Sequence, residues 1–196
     1  MFVSQFPTFD LGKYILREHN DQDHHAFFDY YSDERVNQYI LTEIPKTLEE
    51  ARLDLNYWRN TFYTNNGMYF TIADKQSNIM VGTAGLSSYN KYNSRIEISY
   101  DIDYRHWRRG IASAAILTLI KYTFDHLNIN RIEAITSIYN KPSIGLLEKC
   151  GFVYEGKLRQ HRYHRGKYVD VYSFSVLRDE YLNNPILHYP AIPLQY

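Results

Sequence analysis

The stretch Tyr104-Arg105-His106-Trp107-Arg108-Arg109-Gly110-Ile111-Ala112-Ser113 joins the clearest strand pattern in the chain to its clearest helix pattern. Upstream, Arg95–Ile102 alternates: Ile96, Ile98, Tyr100 and Ile102 share one face, and Glu97, Ser99 and Asp101 share the other. Downstream, from about Gly110 to Leu127, the sets Ile111, Ala115, Leu119 and Ile116, Ile120, Phe124 recur at helical spacing and make a broad apolar stripe. A helix start carries free backbone N–H groups and the positive end of the helix dipole. Gly110 lets the backbone approach a ligand closely, the small Ala112 keeps the mouth open, and Arg105, Arg108 and Arg109 surround it. This predicts an anion-binding turn whose width suits a pyrophosphate. An ordinary strand–helix turn with solvated arginines would look the same. The turn has neither the Gly-Lys-Ser/Thr ending of a nucleotide-binding P-loop nor a Gly-x-Gly-x-x-Gly fingerprint.

Working outward, Tyr14–Arg17 reads as a first strand. Asp21 or Asp23 can cap a helix running to about Tyr31, and Asp33–Tyr39 a second short one. Thr47-Leu48-Glu49-Glu50 has capping-box spacing and opens a helix through Leu48, Ala51, Leu55 and Trp58, which Asn65-Asn66-Gly67 ends. Met68–Ala73, Met80–Ser88 and Arg95–Ile102 then read as an antiparallel meander. Beyond the central helix come a strand at Arg131–Ser137, a short helix with Pro142 in its first turn that stops before Gly151, and two strands near Phe152–Tyr163 and Lys167–Leu177 that meet at Arg165-Gly166. This order predicts an α/β fold: a mixed sheet with helices on both faces.

The composition narrows the function classes. A chain of 196 residues with 44% hydrophobic residues is enough for one domain with its own core. Lys+Arg and Asp+Glu each number 22, so neither nucleic acid nor an anionic membrane is expected as a partner from net charge. The single Cys150 excludes an intramolecular disulfide and a cysteine-rich metal site, and no spaced His or carboxylate set supports a metal, His24-His25 included. Met1–Asp10 lacks a signal-peptide pattern and no segment is apolar over membrane-spanning length, so a cytoplasmic location is expected.

Arg108-Arg109-Gly110-Ile111-Ala112 resembles the acetyl-CoA pyrophosphate loop of the GNAT superfamily, whose pattern is Gln/Arg-x-x-Gly-x-Gly/Ala after the fourth strand; Trp107 stands where Gln/Arg is usual. A second block, Asn140-Lys141-Pro142-Ser143 followed by Glu148-Lys149-Cys150-Gly151-Phe152, is similar to the family's Asn-x-x-Ser…Lys-x-Gly-Phe, at the right distance from the first. The aromatic-basic-glycine run and Arg165-Gly166-Lys167-Tyr168-Val169-Asp170-Val171 resemble the RimJ/RimL-like branch, which acts on ribosomal-protein N-termini. The resemblance spans roughly Lys13 to Leu182. It implies a single-domain, mostly antiparallel mixed sheet with splayed fourth and fifth strands over residues 1–182, followed by an irregular Pro-containing tail over 183–196 that could join a dimer contact.

The resemblance also implies roles. The enzyme would move an acetyl group from acetyl-CoA to a primary amine by direct attack, without a metal. Ile102 matches the position whose backbone pairs with the pantetheine arm. Arg108, Arg109, Gly110, Ile111, Ala112 and Ser113 would meet the pyrophosphate, and Asn140, which also suits a helix N-cap, matches a residue that bonds the cofactor arm. Glu97 is the candidate general base; it could instead be a solvated carboxylate or hold the substrate amine electrostatically. The tyrosine that many members carry seven residues after the asparagine is replaced by Leu147, so Ser143 is the candidate acid for the leaving thiolate, with Tyr139 a weaker one. Ser143 could instead serve only the helix's first turn.

The acceptor stays open between a protein N-terminal amine, which the branch resemblance favours, and a small amine, toward which Glu34, Glu43 and Asp101 could lend carboxylates. A CoA-binding module without catalysis is a third reading, kept by the absent tyrosine. The basic run Lys157, Arg159, His161, Arg162, His164, Arg165, Lys167 reads as a solvated hairpin guarding an edge strand. Trp58, Phe62 and Tyr63 read as core, and so does Cys150.

Overall fold

The computed structural model describes residues 5–184 and residue 187. Strands β1 (Phe9–Leu11) and β2 (Tyr14–Arg17) open the chain, followed by helices α1 (Asp23–Tyr31), α2 (Glu34–Asn37) and α3 (Leu48–Tyr63). The meander is β3 (Met68–Asp74), β4 (Met80–Asn90) and β5 (Arg95–Ile102). Then come α4 (Ile111–His126), β6 (Arg131–Ser137), α5 (Lys141–Lys149), β7 (Val153–His164), β8 (Lys167–Leu177) and α6 (Arg178–Asn183). One sheet has the order β1-β2-β3-β4-β5-β6-β8-β7, antiparallel at every junction except β5/β6. The mixed sheet with helices on both faces is therefore as expected.

Two elements escaped the sequence reading. β1 has only three residues and no alternation to detect, so the splayed pair falls at the fifth and sixth strands of this chain. α6 follows β8 without a break and buries Tyr181 against Phe124. It runs one residue past the expected boundary at 182, and Leu187 beyond it is fully buried. The rest of the expected tail, residues 185, 186 and 188–196, lies outside the described residues.

The two faces of the sheet carry different cores. On one, the α4 stripe (Ile111, Ala115, Ile116, Leu119, Ile120) packs with Ile96, Ile98, Phe70 and Leu86. On the other, Phe27, Tyr30, Ala51 and Leu55 join α1 to α3 over Met80. At about 25 cal/mol per Å2, each such large side chain contributes roughly 2 kcal/mol through burial.

Neither Asp21 nor Asp23 caps α1; Gln22 is the N-cap and makes no side-chain cap bond. Asp23 instead takes two bonds from Arg17 (2.8 Å each) and one from the Thr71 hydroxyl (2.8 Å), pinning α1 to the sheet. At α3, Thr47 Oγ1 accepts from the Glu50 N–H (3.1 Å), while the Glu50 carboxylate reaches the N–H of Lys46 rather than Thr47, so only half of the capping box forms.

Candidate active site

The parallel register of β5 and β6 ends early. Arg95, Ile96 and Glu97 pair with Arg131, Ile132 and Glu133, and pairing stops there. On its other edge β5 stays paired with β4 as far as Ile102, and the Asp103 N–H still bonds the Val81 carbonyl (2.9 Å). In an antiparallel ladder the backbone groups of alternate residues point to opposite sides. Asp101 and Ser99 therefore use theirs on β4, while those of Ile98, Tyr100 and Ile102 face the opened gap. The result is a strand edge ready to accept an extended polyamide. At Ile102 half of it is taken, because the Trp107 indole N–H donates to the Ile102 carbonyl (2.7 Å).

A single partly open cleft of about 1270 Å3 runs through this gap. Its mouth is Arg108–Ser113. Gly110 is the N-cap of α4 at φ 76°, a left-handed conformation in which a side chain is strained, and it makes no side-chain cap bond. Nothing stands within 4 Å of where a Cβ on Gly110 would sit. The first intrahelical bond of α4 runs from the Ala114 N–H to the Gly110 carbonyl (3.0 Å), so the N–H groups of Ile111, Ala112 and Ser113 lie in the unpaired first turn. Arg108 is also left-handed (φ 59°) and exposed, whereas Arg109 bends back to donate to the Arg105 carbonyl (2.9 Å). The turn thus has free backbone donors and an open approach, the features an anion site needs.

Asn140 and Ser143 line the same cleft from α5. Asn140 is the N-cap, its Oδ1 accepting from the Ser143 N–H (3.1 Å). The Ser143 side chain is not used in that cap. Its Oγ lies 2.8 Å from the Tyr100 hydroxyl, across the gap from β5. Burial drives the Tyr100 phenol strongly upward, so it stays protonated at neutral pH. Tyr100 was legible only as a member of an isoleucine row, although a phenol in such a row must find a hydrogen-bond partner when buried. Leu147 is buried and lines the cleft, while Tyr139 is largely exposed and forms no part of it.

Glu97 lies on the opposite face of β5, where β5 and β6 part. Burial raises its pKa, and the neighbouring Arg162 guanidinium (3.4 Å) opposes that rise. Arg162 comes from the basic hairpin, and Arg165 donates to the Asn37 carbonyl (3.3 Å) and Oδ1 (3.0 Å). The hairpin does form the sheet edge, but these two of its cations, though still exposed to solvent, also bond protein groups. Beside Glu97 lies a floor that sequence reasoning missed. Tyr69 lies across Gly85, where any Cβ would sit 2.2 Å from its ring, and Trp58 stacks on Tyr69 at 5.1 Å and 16°. Of the three α3 aromatics expected in the core, Phe62 is buried, Trp58 is half-buried, packing against the Phe27 cluster while also lining the cleft, and Tyr63 is exposed. Asp101 lines this side too, whereas Glu34 and Glu43 are not among the lining residues.

Residues 13–153 match the acetyltransferase (GNAT) domain family. The chain belongs to that family. It is 36% identical over 174 residues to an uncharacterized N-acetyltransferase, p20, of Bacillus licheniformis, covering 89% of this chain and 98% of the relative. It is 32% identical over 114 residues to the spermidine N(1)-acetyltransferase of Vibrio cholerae, covering 58% and 65%. Its fold matches a crystal structure of a GNAT-family acetyltransferase from Bacillus anthracis with a TM-score of 0.77 at 25% identity, covering 88% and 99%. It also matches the ribosomal-protein-S5-alanine acetyltransferase of Vibrio fischeri at 0.77 and 23%, covering 88% and 97%, a likeness of fold alone. The protein is an N-acetyltransferase of the GNAT family. Among the described residues no group of three His, Cys, Asp or Glu side chains could hold a metal, and no helix is long and apolar enough to cross a membrane.

Proposed function

We propose that this GNAT enzyme acetylates a protein N-terminal amine, with acetyl-CoA as donor, as the RimJ/RimL-like resemblance implies. The observation that carries this reading is the continuity of the cleft: it leads from the Arg108–Ser113 mouth, through the β5/β6 gap, to a partly open wall at Gln38–Thr42, Tyr57 and Asn66 that leaves room for an extended chain. The unpaired N–H groups of Ile111, Ala112 and Ser113 hold the pyrophosphate, with Arg108 and Arg109 at the rim. Asn140 and the gap-facing backbone of Ile102 hold the arm. We place the enzyme in the cytosol on the strength of its one, buried thiol.

In this reading Glu97 takes the proton of the attacking amine as the N–C bond forms. The gap-facing N–H groups of Ile98 and Tyr100 stabilise the charge that builds on the acetyl oxygen. As the C–S bond breaks, the Ser143 hydroxyl, oriented by the Tyr100 phenol, passes its proton to the sulfur and is reprotonated from solvent through the partly open cleft. The base and the acid belong on opposite faces of β5, which suits an amine and a thiolate that sit on opposite sides of the carbonyl carbon. Thiol release measured over N-terminal peptides and small amines tests the acceptor. Turnover on small amines and on no peptide would overturn the N-terminal reading.

A second reading, acetylation of a small cationic amine, is favoured by one observation: the carboxylates and aromatic rings that line the acceptor side, Glu97 and Asp101 with Tyr31, Trp58 and Tyr69.

A further inference from the structure

Several buried or half-buried carboxylates of this protein meet arginines. Asp23 takes Arg17 at 2.8 Å, Asp103 takes Arg105 at 2.7 Å, and Glu97 has Arg162 at 3.4 Å. Asp101 differs. It sits in the cleft wall between β4 and α1, and its partners are two hydroxyls: Tyr30 donates to Oδ1 (2.6 Å) and Thr83 to Oδ2 (2.6 Å). Among the described residues no basic side chain bonds or pairs with it. A desolvated carboxylate held by neutral donors alone is costly, and a cation brought to it in a low-dielectric cleft offsets that cost.

The surroundings suit a cation. Tyr31, Trp58 and Tyr69 line the same wall, and aromatic faces attract organic ammonium groups. Asp101 also lies four residues beyond Glu97 on the same face of β5. At the rise of a strand this places their Cα atoms roughly 13 Å apart. One group cannot sit at both carboxylates.

We propose that Asp101 is a specificity residue: it seats a second alkylammonium of the acceptor while the reacting amine lies at Glu97. The assignment rests on the reading of the acceptor side given above. The second ammonium could come from a linear diamine or from a lysine side chain near a peptide N-terminus, since both present the same group. Tyr30 and Thr83 act through Asp101, holding its oxygens toward the cleft.

The test is calorimetric titration of the CoA-bound protein with matched pairs. Diaminooctane is set against aminooctanol, which exchanges one ammonium for a hydroxyl. A Ser-Ala-Lys-Ala peptide is set against its norleucine counterpart. The expected result is a preference of about tenfold or more for the doubly cationic member of at least one pair, the magnitude of a charged hydrogen bond. The pair that shows it identifies the source. In Asp101→Asn the preference should fall below about twofold while CoA affinity stays as in the wild type. Asp101→Ser provides the same comparison should the amide variant fold poorly. Equal affinity within both wild-type pairs, or a preference that survives in the variants, overturns the assignment. Failure to bind CoA would instead overturn the acetyl-transfer reading, and the amine titration can still be run on the free protein to judge Asp101 separately.

Discussion

The two ends of the cleft are built from different materials. The proposed cofactor end is made of main chain: free N–H groups at the start of α4, a left-handed glycine, and a strand edge left open beyond Glu97. The proposed acceptor end is made of side chains gathered from α1, α3, β3, β4, β5 and β7, with Glu97, Asp101, Trp58, Tyr69 and Arg162 lining it. A main-chain site is specified by a few adjacent residues and by the hand of one turn. A side-chain site depends on the packing of distant segments, so it can change its chemistry while the fold stays the same.

That contrast can be broken most sharply at Gly110. Gly110→Asp puts a side chain in a left-handed position and a negative charge where the pyrophosphate would lie. Acetyl-CoA affinity by calorimetry should fall about a hundredfold, with backbone strain and charge repulsion each contributing. An unchanged affinity would show that the turn is not the phosphate site. Glu97→Gln probes the other end. Turnover should fall on the order of a hundredfold, as for loss of a general base, with acetyl-CoA affinity kept. Because burial raises the Glu97 pKa and the base must be ionised, wild-type turnover should fall as pH drops through a value above the ordinary glutamate range. A pH profile in Glu97→Gln that matches the wild type removes the residue from the chemistry.

Ser143→Ala should slow thiol release about tenfold, and Tyr100→Phe by less, since Tyr100 acts through Ser143. Wild-type rates in Ser143→Ala would leave the leaving group without a protein acid. Asp101 gives a smaller, opposite-signed effect on stability. Burial pushes its pKa up to about 6 from an ordinary 3.8, so the folded state holds more protons than the unfolded state between those values. Stability is therefore lost as pH rises through that window. Asp101→Asn should melt above the wild type at pH 8, by on the order of 2 kcal/mol, with the difference closing toward pH 4. A variant that melts below the wild type at both pH values would mean that the carboxylate is structural. The smallest effect is at Arg162, exposed and 3.4 Å from Glu97. Arg162→Met should move the acidic limb of the rate profile up by about half a pH unit.

The local chain was enough for much of the fold. Tyr14–Arg17, Arg95–Ile102 and Arg131–Ser137 appear at the bounds that alternation predicts, and the α4 stripe packs as the 3.6-residue period requires. Where the reading failed, competing contacts decided. Asp23 had a better partner in Arg17 than in a helix end, and the Glu50 carboxylate found the Lys46 N–H. β1 was too short to carry a pattern and exists because β2 is there to pair with it.

The same division holds for the site. Residues 104–113 and 140–152 pointed to the proposed cofactor end by themselves, because helix caps, left-handed turns and strand edges are consequences of neighbouring residues. Tertiary structure alone brought Tyr100 to Ser143, Arg162 to Glu97, and the hydroxyls of Tyr30 and Thr83 to Asp101. Those contacts join residues 18 to 71 positions apart, and no local rule links positions that far apart in the chain. The strand at Arg95–Ile102 shows both limits: its alternation told which residues share a face, and only the packed fold determined that Tyr100 on one face would meet a serine and Asp101 on the other would meet two hydroxyls.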